Sequence, residues 1–335
     1  MIILHFIISL SPVMMLALVL RLLDSYQLVR GSAAMASLFK GMAAALFCML
    51  LNDLLLRKLA IDVTLYSRYV APFIEEGSKA ICLFGLIRSK RIGFLVDAAI
   101  HGAAVGAGFA LLENVYYLYH LAEASLLIWF IRGFGTAIMH AACAALFAIL
   151  CKGAYDRRNR PAISSWGPAL LAAAAVHALF NHFFLPPIYM TLLIMAVLPP
   201  LIIGVYEHSE RLLRKWLTLS MDEEMAMLEM ILTGRFTQSK FGQYLLSLRD
   251  HFPATVAVDL LCYLRIYLEL AMRAKGILLL RQNGITVQPD ATIKEKFAEF
   301  TFLEKSIGKT GKLALAPFMR AGERELWQLY LLGDR

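Results

Sequence analysis

The chain has 335 residues, of which 59% are apolar and 17% are charged, and its mean hydropathy is +0.64. These values exclude an ordinary soluble domain and indicate a polytopic membrane protein. The formal net charge is +8, but no dense basic stripe is interleaved with aromatic residues, so we expect no nucleic-acid partner.

Apolar stretches long enough to cross a bilayer core of about 30 Å recur along the first 206 residues. They predict an all-α bundle of about seven transmembrane helices. The expected spans are 1–20, 33–56, 66–88, 94–120, 125–151, 165–185 and 188–206. The cysteines lie mostly inside these spans and form no C-x-x-C pair, which favours neither a disulfide framework nor a thiolate metal site.

Basic residues are concentrated in alternate short loops. Lysine and arginine follow the first, third and fifth spans, at about 21–30, 88–91 and 152–160, whereas the loops after the fourth and sixth spans hold none. Because basic loops are retained in the cytoplasm, this pattern predicts a cell-membrane protein with its N-terminus outside and its C-terminus inside. The basic pair Arg57 and Lys58 is the exception to the pattern.

The composition changes after Tyr206 to charged segments with helical periodicity. We therefore expect two domains, a transmembrane core over 1–206 and a helical cytoplasmic domain over 207–335. The second domain contains no catalytic motif, and we interpret it as a regulatory or docking domain.

Near its middle the third span carries three charged side chains, Glu75, Glu76 and Lys79. A charge at mid-membrane costs about 2.5 to 3.5 kcal/mol on insertion scales, so these residues favour a functional site. With about 100° of rotation per helical residue, Lys79 projects between the two carboxylates and is expected to pair with them. Pro72 removes a backbone hydrogen bond one turn earlier, which predicts a kink or an opening to water.

The fourth span contains Glu113 at the head of a stripe of small residues that includes Gly106 and Gly102. Small residues let helix backbones approach closely, so we expect Glu113 to face protein rather than lipid.

The fifth and sixth spans supply four further polar residues. Arg132 and His140 lie two helical turns apart, and His177 and Asn181 are neighbours at i and i+4. Measured at about 1.5 Å per residue from the outer ends of the spans, Glu75, Glu113 and His177 fall at similar depths and His140 lies somewhat deeper, which predicts one cluster in the outer half or middle of the bilayer.

Carboxylates, imidazoles and an amide without a nucleophilic serine or cysteine on the same faces indicate hydrolysis by activated water. A glutamate would accept the proton of water, histidine and asparagine would stabilise the oxyanion, and Lys79 or Arg132 would set the local potential. One divalent metal such as zinc is an open alternative, with four candidate ligands. These are Glu76, Glu113, His140 and His177. A proton- or ion-coupled transporter is the main rival, since it also buries ionisable groups, although no inverted repeat is visible.

Four blocks in this region, "EEGSK", "GAGFALLEN", "RGFGTAIMH" and "HALFN", resemble the PrsW family of intramembrane proteases. The family is distantly similar to the CAAX prenyl proteases and to bacteriocin self-immunity proteins, and the resemblance covers about residues 70–185. It implies cleavage of a membrane-anchored protein, such as an anti-sigma factor.

Carried over by motif, the resemblance implies that Glu75 or Glu76 activates water and that His177 with Asn181 binds the oxyanion. The prenyl proteases have histidine where Glu113 stands here. Three roles are therefore open for Glu113: it shares the base function, binds a metal, or is neutral. A non-catalytic, partner-binding relative is a third possibility for the chain as a whole.

Overall fold

The computed structural model is helical in every regular element of the residues it describes. These are residues 2–24, 28–89, 91–121, 123–158, 163–219, 221–248, 251–283, 285 and 291–319. Two residues of the basic loops, Lys90 and Arg160, lie outside these ranges.

The chain divides into two compact units, Met1–Glu210 and Arg211–Arg335. The helices of the first unit, with the last one continuing beyond it, are α1 (Ile2–Leu23), α2 (Gly31–Leu59), α3 (Val63–Leu65), α4 (Ala71–Arg88), α5 (Leu95–His120), α6 (Leu126–Phe130), α7 (Ile138–Arg158), α8 (Ile163–His182) and α9 (Pro187–Leu219). Two π-helical segments complete it, the first at Tyr66–Val70 between α3 and α4, and the second at Ile131–Ala137 between α6 and α7.

The second unit is also helical. Its elements are α10 (Met221–Leu232), a short 3₁₀ turn (Arg235–Gln238), α11 (Lys240–Leu248), α12 (Ala254–Gln282) and α13 (Ala291–Leu315). A buried ion pair joins α12 to α10, with Lys275 Nζ 2.7 Å from Glu224 Oε2. Stacked rings of Tyr263 and Phe300, 4.4 Å apart, join α12 to α13. The predicted helical character of this segment is confirmed, and its cytoplasmic location stays a prediction.

Four helical stretches are long and apolar enough to cross a membrane: Gly31–Leu59, Leu95–His120, Leu126–Asp156 and Pro187–Arg211. A shorter apolar helix covers Ile3–Leu16. The protein is therefore an integral membrane protein. The two other expected spans are also helical, but α4 carries four charged side chains and α8 carries two histidines and an asparagine near its end, which lowers their hydropathy.

Glycines on α5 allow it to pack closely against its neighbours, as the stripe of small residues predicted. A Cβ atom at Gly106 would lie 2.3 Å from the backbone oxygen of His140, and one at Gly102 would lie 2.5 Å from Cα of Ala145. On α2, a Cβ atom at Gly41 would lie 1.9 Å from a backbone oxygen of α5. Helix α5 is thus held at backbone distance from α7 and α2, so the Glu113 face is turned toward protein.

The two π-helical segments lie where the sequence interrupts regular α-helix. The first ends two residues before Pro72, whose missing N–H group leaves an α-helical hydrogen bond unmade. The second contains Gly133 and Gly135, where added Cβ atoms would lie 2.1 Å from the backbone oxygen of Ile8 on α1 and 2.6 Å from Thr191 Oγ1 on α9. Such π turns inside helices are frequent at functional sites.

Candidate active site

A buried ion pair on α4 is the centre of the polar cluster. Lys79 Nζ lies 2.6 Å from Glu76 Oε1, and both side chains are about 1% exposed. Nζ also lies 2.9 Å from His140 Nδ1 on α7 and 4.6 Å from the ring centre of Phe109 on α5. Lys79 therefore joins three helices, and it pairs with Glu76 rather than lying between Glu75 and Glu76 as the helical geometry predicted.

Glu76 also orients the imidazole of His177 on α8. His177 Nδ1 lies 2.8 Å from Glu76 Oε1, the same oxygen that accepts from Lys79. Because a paired carboxylate accepts hydrogen bonds, this contact assigns the ring proton to Nδ1 and leaves Nε2 as an acceptor. A histidine held in this way by a carboxylate is typical of metal-binding and catalytic histidines.

The acceptor atom of His177, Nε2, faces Glu75, the neighbour of Glu76 on α4. His177 Nε2 lies 3.9 Å from Glu75 Oε2, which is too long for a direct hydrogen bond. The Glu75 side chain is 15% exposed, against 1% for Glu76. Two acceptor atoms that face each other at this distance repel unless a donor with two protons, such as water, or a cation lies between them.

On the other side of Lys79, His140 connects to Glu113. A lysine ammonium group can only donate, so His140 Nδ1 accepts and its proton lies on Nε2. Nε2 is 3.0 Å from Glu113 Oε2, and the second oxygen of Glu113 is 3.3 Å from Arg132 Nη2. The guanidinium carbon of Arg132 stands 3.7 Å from the ring centre of Tyr117. Arg132 and His140, expected to share a cleft, thus share one carboxylate.

Asn114 links this part of the site to α1. Arg132 Nε donates to Asn114 Oδ1 at 2.9 Å, and Asn114 Nδ2 donates to the backbone oxygen of Ser9 at 2.8 Å. The π-helical segment that carries Arg132 also packs on α1 through Gly133, so α1 supports the arginine from two directions.

Asn181, expected to bind the oxyanion, makes a hydrogen bond to the first π-helical segment. Its Nδ2 donates to the backbone oxygen of Ser67 at 2.9 Å. One N–H group of the amide is therefore used to attach α8 to that segment, and the second remains for another acceptor.

Three side chains of the cluster are close enough to hold a metal ion together. One ligand atom from each of Glu75, His140 and His177 lies within 4.8 Å of the others. Two imidazoles and a carboxylate are a donor set found at catalytic zinc sites, so these residues fit a divalent metal. The set contains Glu75 and neither of the expected glutamates, Glu76 and Glu113.

Two residues at this site were not singled out from the sequence. Asn52 Nδ2 on α2 donates to Glu75 Oε1 at 3.3 Å, and Tyr66 Oη donates to Asn52 Oδ1 at 2.8 Å. A lone asparagine in the apolar sequence "CMLLNDLLL" is the signal that would have identified the first, because an amide inside a membrane helix needs partners. Tyr66 carries no such signal.

Comparison with known proteins gives one match. The model of the family described as "PrsW family intramembrane metalloprotease" matches residues 29–205, more than half of the chain. No curated protein and no solved structure matches the chain significantly. The matched range contains all the side chains of the cluster described above.

Proposed function

Because the chain belongs to the PrsW family of intramembrane metalloproteases, we propose that it hydrolyses a peptide bond of a membrane-anchored protein within the bilayer. Family membership makes the protein a hydrolase that acts on protein. The observation that best supports the finer proposal is the pair of acceptors, Glu75 Oε2 and His177 Nε2, which face each other at 3.9 Å. A water molecule fits between them as a donor to both, which is the position of an attacking nucleophile.

Glu75 is the carboxylate we assign to proton transfer. Glu76 has one oxygen occupied by Lys79 and His177, whereas Oε2 of Glu75 faces the acceptor of His177. Glu75 would take a proton from water as the oxygen attacks the carbonyl, and would then give that proton to the leaving amine nitrogen. Such general base catalysis contributes typically about 10² to 10⁴-fold in rate.

The other residues hold the reacting groups and balance charge. The Glu76–Lys79 pair keeps His177 in the tautomer that accepts from water, which assigns His177 to the water rather than to the oxyanion. The second N–H group of Asn181 is the donor we assign to the oxyanion, and Arg132 with Lys79 offsets the negative charge that develops on it.

Glu75, His140 and His177 would hold a divalent metal such as zinc. Bound there, the metal would polarise the substrate carbonyl and make a coordinated water more acidic. The Nε2 proton of His140 now faces Glu113 Oε2 at 3.0 Å, and binding a metal through that nitrogen would release it, so we expect loading to liberate protons. Glu75 has two oxygens, so it can bind through one and accept a proton through the other.

In this proposal seven helical stretches cross the membrane: α1, α2, α4, α5, α6 together with α7, α8 and α9. The N-terminus then lies outside and the second unit lies in the cytoplasm. The candidate site then lies in the outer half or middle of the bilayer, where it would cut a single-span protein such as an anti-sigma factor. Limited proteolysis tests the orientation: the second unit should be digested in inside-out vesicles and protected in right-side-out vesicles. The reverse pattern would refute this topology.

Comparative membrane proteomics tests the activity directly. Cells with the wild-type chain are compared with cells carrying Glu75→Gln, Glu76→Gln or His177→Ala, and Glu123→Gln serves as the matched control because Glu123 lies exposed in the turn after α5. We expect at least one single-span protein to lose its processed form in the three site variants and to keep it in the control. Unchanged processing in all three would overturn the proposal.

Two further measurements separate the open alternatives. Metal content of purified wild-type protein should be about one ion per chain, lost in His177→Ala and recovered in the wild type after chelation and addition of zinc. In liposomes the protein should carry no proton or ion flux. A flux that Glu113→Gln abolishes, together with unchanged processing, would establish a carrier instead.

A further inference from the structure

A chain of hydrogen bonds leads to Glu75 from outside the four motif blocks. Asn52 Nδ2 lies 3.3 Å from Glu75 Oε1, while Oε2 of the same carboxylate faces His177 Nε2. The two oxygens of Glu75 are thus distinguished: one is held by α2 and the other is presented to the reacting position. Rotation of this carboxylate about its last bond would exchange them.

The amide of Asn52 has its own orientation set by Tyr66. A carboxylate accepts hydrogen bonds, so the amide turns its N–H group toward Glu75 and its oxygen away from it. That oxygen accepts from Tyr66 Oη at 2.8 Å, and Tyr66 is 2% exposed. Without the phenol, the amide oxygen would be left unpaired in a largely apolar region, and the amide would lose the contact that sets its direction.

Tyr66 is placed by the first π-helical segment, which is attached to both sides of the site. Tyr66 is the first residue of the segment and contacts α2 through Asn52. The next residue, Ser67, accepts at its backbone oxygen from Asn181 on α8, one turn beyond His177. The segment therefore ties the helix that holds Glu75 Oε1 to the helix that presents His177 to Glu75 Oε2.

We propose that Asn52 and Tyr66 are positioning residues of this site: the Tyr66 hydroxyl aligns the Asn52 amide, which fixes Glu75 so that Oε2 faces His177. The inference rests on the proposed function, because positioning matters only where Glu75 handles water or metal. Removal of a residue that orients a ligand or a base typically lowers affinity or activity by about 10 to 100-fold.

Kinetics and a metal spectrum test the role. In Tyr66→Phe and in Asn52→Leu we expect kcat to fall about 10 to 100-fold with little change in KM, and the visible absorption bands of the cobalt(II)-loaded protein to shift. The double variant should be no worse than Asn52→Leu alone, because the tyrosine acts through the asparagine. Tyr69→Phe and Asp53→Leu are matched controls on the same two elements, with exposed side chains, and should behave as wild type.

A side-chain NMR signal makes the geometry independent of activity. The Asn52 side-chain amide resonances, observed in the full-length protein with selectively labelled asparagine, should shift in Tyr66→Phe and in Glu75→Gln but not in Tyr69→Phe. Shifts of this kind without any cleavage or metal binding in the wild type would sink the proposed function and leave the hydrogen-bond chain intact. Wild-type kcat, cobalt spectrum and amide signals in Tyr66→Phe would overturn the inference while the protease proposal stood. Tyr66→Phe removes a single oxygen atom, so it decides the matter even if Asn52→Leu fails to fold.

Discussion

Replacing Lys79 by methionine is the most direct test of how this cluster is held inside the membrane. Methionine keeps most of the side-chain volume but removes the ammonium group from Glu76 Oε1 at 2.6 Å and from His140 Nδ1 at 2.9 Å. Loss of one partner of a buried ion pair costs about 3 to 5 kcal/mol, and an acceptor left unpaired costs about 1 to 3 kcal/mol more. We expect Lys79→Met to lower the free energy of unfolding by about 5 kcal/mol.

A second substitution should recover much of that loss. In Glu76→Gln/Lys79→Met no charge of the pair remains, and glutamine still offers an oxygen to His177 Nδ1. Replacing both members of a buried pair by neutral groups often changes the stability little. The free energy of unfolding of the double variant should therefore be at least about 2 kcal/mol higher than the sum of the two single losses predicts. Unfolding in mixed micelles, followed by steric trapping, measures the four members of this cycle.

An exposed ion pair on α2 provides the control. Arg57 Nη2 lies 2.9 Å from Asp53 Oδ2, with side chains 77% and 59% exposed. The same cycle there, Asp53→Asn with Arg57→Met, should give a coupling of at most about 1 kcal/mol. If the Lys79 cycle gives a coupling as small as this one, or if the double variant loses the full sum, the reasoning about charge burial at the site is wrong.

Three further predictions concern the scaffold. Gly106→Ala should destabilise the protein strongly and lower activity, because the added Cβ would lie 2.3 Å from the α7 backbone. Gly85→Ala is the control: a Cβ there has nothing within 4 Å, so the change should be neutral or stabilising by up to about 1 kcal/mol. Equal melting temperatures for the two variants would contradict this prediction. Burial raises the pKa of Asp24 from 3.8 to about 6, so the folded state binds its proton more tightly than the unfolded chain. The contribution of Asp24 to the free energy of unfolding is therefore greatest below about pH 4, falls by roughly 3 kcal/mol between about pH 4 and pH 6, and is constant above that. The difference between the melting temperatures of the wild type and Asp24→Asn, measured across this pH range, should show the change. Lys275→Met leaves Glu224 buried without its cation, so limited proteolysis of the full-length protein should cut the second unit faster, and an unchanged cleavage rate would show that the pair is not needed.

Helical periodicity was sufficient to predict which faces meet. The small-residue stripe of α5 predicted a close approach, and Gly106 indeed lies at backbone distance from His140. Polar residues inside apolar spans are costly, which is why Glu75, Glu113 and His177 were expected to converge. The contacts of each with a histidine or glutamate of another helix follow that expectation.

Helical periodicity did not predict which of the converging side chains pair with each other. An ideal helix places Lys79 between two carboxylates, but Lys79 pairs with Glu76 and also contacts His140, which lies on the helix that follows the second π-helical segment. A π turn holds more residues than an α turn, so it rotates all the residues that follow it. Asn52 could have been singled out as a lone amide in an apolar span, but its partner Tyr66 lies in the other π-helical segment, and a single sequence gives no pattern for such turns.

The charges of the site add a reason for a cation there. Glu76 has Lys79 as its cation and Glu113 has Arg132, each within 4 Å. Among the described residues, no lysine or arginine lies within that distance of Glu75. Glu75 therefore lacks the cation that each of the other two carboxylates has, and one of its oxygens faces the acceptor of His177. In a low-dielectric region a carboxyl group without a cation either binds one or takes up a proton. The helices thus supply a cation to every carboxylate of the cluster except Glu75, the one to which we assign proton transfer.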